Sequence, residues 1–286
     1  MKRMVHLMAA LFVVAGLALG QAAPQQQPAP QQQPGQPAKK QPAPKTKEEY
    51  DLYLKFWNAT DPDEKIKGAE EFLQKFPDSE LKAFAFRKEM EAYQQKNDFE
   101  KMRTFGEKVL EADPNDAISL ILLASAIPER TKETDLDREQ KLSAAEEYGK
   151  RALAAIDKLE KPSPQMTDEQ WNVVRNDARS NAHASLGLVN LQRKQYAQAE
   201  ESFRKATELQ SQPDPITWWR LGLSLEFSKK YEDALEALKK SVAVGGVKAG
   251  GRDLAAEERD RVQKFLDQRK ATSQPPAAQP PPKPPQ

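Results

Sequence analysis

The sequence predicts an all-α protein made of antiparallel helix hairpins. Apolar residues recur every three or four positions in the runs between prolines, which is the period of an amphipathic helix. No segment shows the apolar–polar alternation of a half-buried strand, so no strand is predicted. A pattern in residues 180–214 returns in residues 215–248, and repetition at a fixed period indicates structural units that stack on one another.

The first 20 residues have the three parts of a secretory signal peptide. Lys2 and Arg3 come before an apolar stretch at 7–19, and Ala18 and Gly20 are small residues placed as at a cleavage site. The apolar stretch is shorter than the roughly 20 residues that cross a bilayer as a helix. We therefore expect an exported protein, periplasmic or extracellular, that is not stably inserted in the membrane after cleavage. An uncleaved anchor is the alternative.

Charge and composition argue against several classes of function. Lys plus Arg number 44 and Asp plus Glu number 43, so the chain has no overall field that would attract nucleic acid. The absence of cysteine excludes disulfides, thiol nucleophiles and cysteine metal ligands. His183 is the only histidine after the leader, which excludes a histidine metal cluster. No catalytic residue, cofactor or metal is predicted, and the protein is not expected to be an enzyme.

Two segments are too rich in proline to fold as helices. Residues 21–45 contain seven Pro and nine Gln, and residues 275–286 contain seven Pro. Such segments bury too little apolar surface to offset the entropy of ordering, and Pro favours extended polyproline II. We expect a disordered linker at 21–45 and a disordered tail at 272–286, both acting as solvated spacers. Recognition of the tail by a proline-binding domain is the alternative.

The remaining prolines are expected to separate the helices. Each of them, including Pro128, falls between apolar runs, where a residue without a backbone N–H does least harm. Asp stands directly before Pro at 61–62 and 214–215, the order of an N-cap followed by a first-turn Pro. Thr167 and Gln170 have the spacing of a capping box. Helices are therefore expected to start at these three points.

The repeated pattern has the residue types that two closely packed helices need. Small residues allow the helices to approach each other, and large apolar residues fill the space beside them. Equivalent residues lie 35 positions apart, namely Gly187 and Gly222, Tyr196 and Tyr231, Ala199 and Ala234, and Phe203 and Leu238. The pattern therefore predicts a helix–turn–helix hairpin that occurs at least twice.

These residues resemble the tetratricopeptide repeat, a motif of about 34 residues that runs Trp, Leu-Gly, Tyr, Ala, Phe, Ala and Pro. The best match is formed by Trp218, Leu221, Gly222, Leu225, Tyr231, Ala234 and Leu238. Weaker matches upstream indicate an array over 46–250 of about five repeats, at 50–82, 83–116, 117–160, 180–214 and 215–248. The third repeat contains an insertion at about 128–140. Glycines then interrupt the chain, and a charged capping helix is expected at 251–271.

The resemblance implies a groove that binds a partner. In this family the hairpins stack into a right-handed superhelix, an α-solenoid, and the first helix of each hairpin lines its concave face. The residues that match groove positions are Trp219, Leu223, Glu226, Leu188, Leu191, Arg87 and Glu91. Trp219 is expected to anchor the partner, and packing of Trp219 on the preceding hairpin is the alternative. Such a mixed to apolar groove suits a helix or an extended peptide.

The sequence thus predicts a non-catalytic interaction scaffold in the periplasm or cell envelope, with a protein partner and no nucleic acid. A structural component of an envelope assembly, held by its Pro-rich arms, is the second hypothesis. A hydrolase or transferase formed by residues 128–167 is the third. It is disfavoured because that segment has no histidine and little apolar content.

Overall fold

The structure is a computed structural model that describes residues 42–273. Within this range the helices are α1 Lys47–Asn58, α2 Pro62–Lys75, α3 Lys82–Gln95, α4 Phe99–Ala112, α5 Ala117–Arg130, α6 Arg138–Ile156, α7 Asp168–Gln192, α8 Tyr196–Leu209, α9 Pro215–Phe227, α10 Tyr231–Ala243 and α11 Leu254–Ser273. Two short strands, β1 Lys248–Ala249 and β2 Arg252–Asp253, pair between α10 and α11. The predicted leader at 1–20, the linker as far as residue 41 and the tail from residue 274 lie outside the described residues.

The predicted fold class, all-α with stacked helix hairpins, is confirmed. The described part of the chain divides into two compact units, residues 42–186 and 187–273, and the division falls within α7. In the first unit each helix from α1 to α6 packs against the next along the chain, and α1 also contacts α3. In the second unit α8, α9, α10 and α11 pack in chain order. None of the helices between residues 42 and 273 is both long and apolar enough to cross a membrane.

The predicted helix starts are confirmed by their hydrogen bonds. The Asp61 carboxylate accepts from the backbone N–H groups of Asp63 at 2.9 Å and Glu64 at 3.1 Å. At the start of α9, Asp214 accepts from the backbone N–H of Thr217 at 2.8 Å. The backbone N–H of Thr167 donates to Gln170 Oε1 at 2.9 Å, and the backbone N–H of Gln170 donates to Thr167 Oγ1 at 3.2 Å. These side chains satisfy helix N–H groups that have no partner within the helix.

The same turn joins the two helices of successive hairpins. Lys194 and Lys229, which are 35 positions apart, both have a φ of 62°. In each case the N–H of the following residue donates to a carbonyl five positions back, at 2.9 Å from Gln195 to Asn190 and from Lys230 to Leu225. This is the hydrogen bond of a Schellman turn, in which one residue takes the left-handed conformation. The repeat seen in the sequence is therefore also a repeat of backbone geometry.

Glycines set the distance between paired helices in the second unit. A methyl group on Gly187 would lie 2.8 Å from the Phe203 ring, and one on Gly222 would lie 2.7 Å from Leu238. Phe203 and Leu238 are completely buried. Each large side chain of a second helix therefore occupies the space left by a glycine of the first, as the sequence pattern predicts.

Two expectations from the sequence are wrong. Pro128 does not separate helices but lies inside the last turns of α5, where it is buried. The surrounding apolar side chains of this almost wholly buried helix keep it helical in spite of the missing N–H. The second error is the strand pair, whose two-residue strands are too short to show alternation. Its turn is formed by Gly250 and Gly251, both with positive φ, the residue type that tight hairpins favour.

Replacing Gly187 with Ala should lower the free energy of unfolding by about 1–3 kcal/mol, because the added methyl overpacks the contact with Phe203. Phe203→Leu alone should also destabilise the protein, since it leaves a cavity. The double variant should lose less free energy of unfolding than the two single variants together, because the smaller Leu side chain leaves room for the added methyl group. Urea unfolding followed by circular dichroism measures all three values. Fully additive losses would show that this contact does not set the helix spacing.

Candidate functional site

In the first unit, the predicted groove residues Arg87 and Glu91 lie on α3. Their spacing of four places them on one helix face. Each is only 7% exposed, because aromatic side chains occupy the space beside this face. Trp57 of α1 packs edge-on against Phe84 with ring centroids 5.9 Å apart, and the Arg87 guanidinium lies 5.2 Å from the Phe84 ring centroid. The two predicted residues are therefore interior and do not line an open groove.

Five buried charged residues form an ionic cluster here, and they are Lys65, Arg87, Lys88, Glu91 and Asp116. Lys88 Nζ lies 3.2 Å from Glu91 Oε2 and 4.2 Å from the centroid of the Trp57 ring. Burial lowers the pKa of Lys65 and raises the pKa of Glu91, although the cations Lys88, Lys65 and Arg87 pull the Glu91 pKa down. The neighbouring cations thus oppose the effect of burial on Glu91, and the cluster joins α2, α3 and the start of α5.

Asp116 has two functions in this cluster. Its Oδ1 accepts from the backbone N–H of Ser119 at 2.7 Å, which caps α5. Its Oδ2 accepts from the Arg87 guanidinium. One carboxylate therefore fixes the start of α5 and attaches it to α3, which comes one hairpin earlier in the chain.

Glu89, also on α3, is buried without a full set of partners. It is 1% exposed, and its Oε2 has no hydrogen-bond partner among the described residues. Burial, with the nearby charge of Glu70, raises the pKa of Glu89 to about 8, while Lys108 acts in the opposite direction. A carboxyl in such surroundings favours its neutral form at neutral pH. The residue is interior and belongs to no open site.

In the second unit, Leu188 and Leu191 belong to the hydrophobic core. Leu188 is 8% exposed and lies in a cluster with Phe203 and Leu225, and Leu191 packs against that cluster. Both were expected to line the groove. They are covered because α9, the first helix of the next hairpin, packs over them. Their contribution is to hold α7, α8 and α9 together.

The other three predicted groove residues, Trp219, Leu223 and Glu226, follow one another along α9 and are called the α9 stripe. The Trp219 ring is half-buried against a cluster formed by Leu235, Leu238, Val262 and Leu266. Its Nε1 is buried with no hydrogen-bond partner in the described part of the chain. Leu223 is half-buried. The last helix, α11, therefore covers part of the stripe.

Glu226 is the charged end of the α9 stripe and is 8% exposed. Its Oε1 lies 2.5 Å from the Arg261 guanidinium of α11, which also pairs with Glu258. Burial, and next the adjacent Glu258 carboxyl, raises the pKa of Glu226 to about 7, while Arg261 lowers it. One arginine thus serves two carboxyls, and Glu226 Oε2 has no hydrogen-bond partner in residues 42–273.

Two pairs of aromatic residues lie partly exposed on the second unit, and three of the four residues lie at helix ends. The Phe227 ring stacks on Tyr196 at 4.9 Å, and the Phe265 ring is tilted against Tyr231 at 4.4 Å. Phe227 is 52% exposed and Phe265 is 39% exposed. We call these four residues the aromatic edge. Sequence reasoning missed it because each pair joins two elements that are far apart in the chain. Only the place of Phe227, directly after Glu226, could have indicated it.

The arrangement offers surfaces for contact. In residues 42–273 no group of three or more His, Cys, Asp or Glu side chains is placed to hold a metal ion. The ionic cluster is buried, and the accessible apolar groups are the aromatic edge and, in the first unit, Leu136 and Val173. Exposed aromatic side chains held by neighbouring rings are typical anchors of protein interfaces.

Residues 180–213 match a family model described as tetratricopeptide repeat. This segment coincides with the repeat predicted at 180–214, and the match supports the resemblance to that family. No curated protein matches the chain.

Among solved structures, the chain is similar to a thermophilic TPR protein of Thermus thermophilus, at 16% identity and a TM-score of 0.45, over 77% of this chain and 97% of that one. It is also similar to an assembly chaperone of RpL4, at 12% identity and a TM-score of 0.46, over 79% and 98%. A third is Pseudomonas aeruginosa pilF, at 21% identity and a TM-score of 0.33, over 67% and 87%.

Asp116→Ala should cost about 3–5 kcal/mol of stability, because it removes a cap and leaves the buried Arg87 without its carboxylate. The matched control is Asp98→Ala. Asp98 caps α4 by accepting from the N–H of Lys101 at 3.2 Å in exposed surroundings, so its loss should cost only about 1 kcal/mol. Urea unfolding of both variants gives the comparison. Equal losses of stability in the two variants would mean that the ion pair between Asp116 and Arg87 does not stabilise the fold.

The stability of the protein should depend on the ionisation of Glu89. The folded state keeps the Glu89 proton up to a pKa of about 8, whereas the ordinary value is 4.5. The contribution of Glu89 to the free energy of unfolding should therefore decrease as pH rises from about 4.5 to about 8. Glu89→Gln cannot ionise, so its advantage over the parent should grow across this window, to roughly 1–4 kcal/mol. Parallel stability profiles of parent and variant in urea would contradict this assignment.

Proposed function

We propose that this protein is a non-catalytic protein–protein interaction scaffold that holds a partner peptide or helix on its helix hairpins. Tetratricopeptide-repeat folds generally mediate such interactions. The observation that carries the proposal is the aromatic edge, because Phe227 and Phe265 are large apolar residues that remain accessible next to a well-packed core. A partner that covers them removes apolar surface from water.

The helices that carry the aromatic edge suit a scaffold. Phe227 ends α9, and the Schellman turn at Lys229 follows it directly. Tyr196 and Tyr231 each begin a second helix, so their backbones are fixed by helical hydrogen bonds. A partner that binds such a surface orders few new groups, and this lowers the entropic cost of association.

We place this activity outside the cytoplasm, in the periplasm or cell envelope. The proposal is supported by the leader-like residues at 1–20. The nearly equal numbers of acidic and basic residues favour a protein partner over nucleic acid.

A structural role in an envelope assembly is the second candidate. It is favoured by the distribution of proline, since 14 of the 22 Pro residues lie in 21–45 and 275–286. Arms of this composition at both ends suit attachment to a larger assembly and have no obvious use in a simple binder.

A photo-crosslinking amino acid at position 227 should capture a discrete partner protein in living cells. The matched control is the same amino acid at Ala197, an exposed position on α8, where no such adduct is expected. With the crosslinker moved to Phe265, Phe227→Ala should reduce the recovered partner about tenfold, as for an anchor residue. Deletion of 275–286 should leave capture unchanged.

Adducts that form equally at positions 227 and 197 would contradict a specific surface. Capture that disappears when 275–286 is deleted, with the helical circular dichroism spectrum intact, would favour the structural role.

A further inference from the structure

The last helix, α11, occupies part of the surface where a partner was expected. Val262 and Leu266, four positions apart on α11, form a buried cluster with Leu235 and Leu238, and the Trp219 ring packs against it. Arg261 from the same helix faces Glu226. α11 packs mainly on α10, and it reaches the α9 stripe through the cluster around Val262 and Leu266 and through Arg261.

These contacts are incomplete in their polar part. Trp219 Nε1 and Glu226 Oε2 are buried and have no hydrogen-bond partner among the described residues. Glu226 is more than nine-tenths buried, and α11 places a second carboxyl, Glu258, next to it. A buried polar atom without a partner and two neighbouring carboxyls both weaken an interface. The stripe therefore has polar groups that α11 does not satisfy.

Phe265 adds a further contact of α11 with the hairpin, since its ring centroid lies 4.4 Å from that of Tyr231. Residues 267–272 are all exposed. At its start, the Asp253 carboxylate accepts from the backbone N–H groups of Ala255 and Ala256 and pairs with Lys248. The helix is thus fixed to the chain at its first turn and, beyond it, to the hairpin around Val262, Phe265 and Leu266.

We propose that α11 is a displaceable cover of the α9 stripe, and that the partner bound there is an amphipathic helix. This rests on the proposed function. The partner presents two apolar residues four positions apart to Trp219 and an Arg or Lys to Glu226. It lacks an acidic residue three positions before that cation, the place that Glu258 has relative to Arg261. Such a helix keeps the contacts of α11 and removes the repulsion between Glu226 and Glu258.

A helix fits the stripe better than an extended peptide because the occupant that the structure shows is itself a helix. In α11 the apolar groups at 262 and 266 are one turn apart on one face, and the cation at 261 lies at the side of that face. In an extended segment, residues 261 and 262 would point to opposite sides.

The test measures binding of a fluorescent synthetic peptide with the sequence of residues 254–273 and Glu258→Gln. It is added to the parent chain and to a variant of the full chain that carries V262A and L266A. These two changes weaken the contact of α11 but leave the α9 stripe intact, and this variant is called the weakened chain. The dissociation constant should fall at least about tenfold in the weakened chain. Gln268→Ala, at an exposed position of α11, is the control and should not change it. Adding Trp219→Ala to the weakened chain should abolish binding.

A second variant tests the cover by strengthening it, so a misfolded protein cannot explain the expected result. Glu258→Gln in the full chain removes the repulsion at Glu226 and should hold α11 more tightly, and this variant is called the tightened chain. The peptide should bind to it several-fold more weakly than to the parent. Equal binding to parent, weakened and tightened chains would overturn the proposal, as would binding that persists after Trp219→Ala.

The same variants separate this inference from the proposed function. Capture through position 227 that increases in the weakened chain supports both. Peptide binding as expected, without any protein captured in cells, would overturn the scaffold function and leave the cover established. Capture that does not change between weakened and tightened chains, together with equal peptide binding, would overturn the cover alone.

Discussion

The close approach of the two helices within a hairpin is the constraint on which the rest of the structure depends. In the second unit Phe203 and Leu238 fill the spaces left by Gly187 and Gly222, where not even a methyl group fits without displacement. Close packing of this kind resists deformation, because an interior at crystal-like density has few empty spaces to absorb a change. The hairpins are therefore rigid. Which side chains are exposed on the surface depends on what fills the space between the first helices of successive hairpins.

The two units fill that space by different means. In the first, aromatic residues of α1 and the ionic cluster around Arg87 and Asp116 occupy it. Burying charges is costly unless each is paired, and here carboxylates and cations from several helices meet in one place. In the second unit, apolar side chains of α7 fill part of the space and α11 covers the α9 stripe. Residues at equivalent positions of the repeat thus have unlike surroundings.

This difference has a consequence for function. Residues that are buried in a paired ionic cluster stabilise the fold and are not available to a ligand. The surfaces that remain available include Phe227, which stacks on Tyr196 at a helix end, and Phe265, which is tilted against Tyr231, and both phenylalanines stay partly exposed. The α9 stripe lies next to them, and two of its buried polar atoms, Trp219 Nε1 and Glu226 Oε2, have no hydrogen-bond partner among the described residues.

The sequence by itself determined the local structure and the pairing within hairpins. Asp61, Asp214 and the Thr167–Gln170 box start helices where predicted, because a cap needs only residues two or three positions away. The spacing of Gly222 and Leu238 indicated a close helix pair for the same reason, since both residues belong to one hairpin.

The tertiary structure alone decided which side chains are exposed. Arg87 is buried beside Phe84, on which Trp57 of α1 packs, and its partner Asp116 comes from later in the chain. Trp219 is partly covered because α11 packs against the same cluster. The repeat motif gives the direction of a side chain relative to its own helix. It does not specify what a helix further along the chain places over that side chain, and exposure depends on those distant contacts.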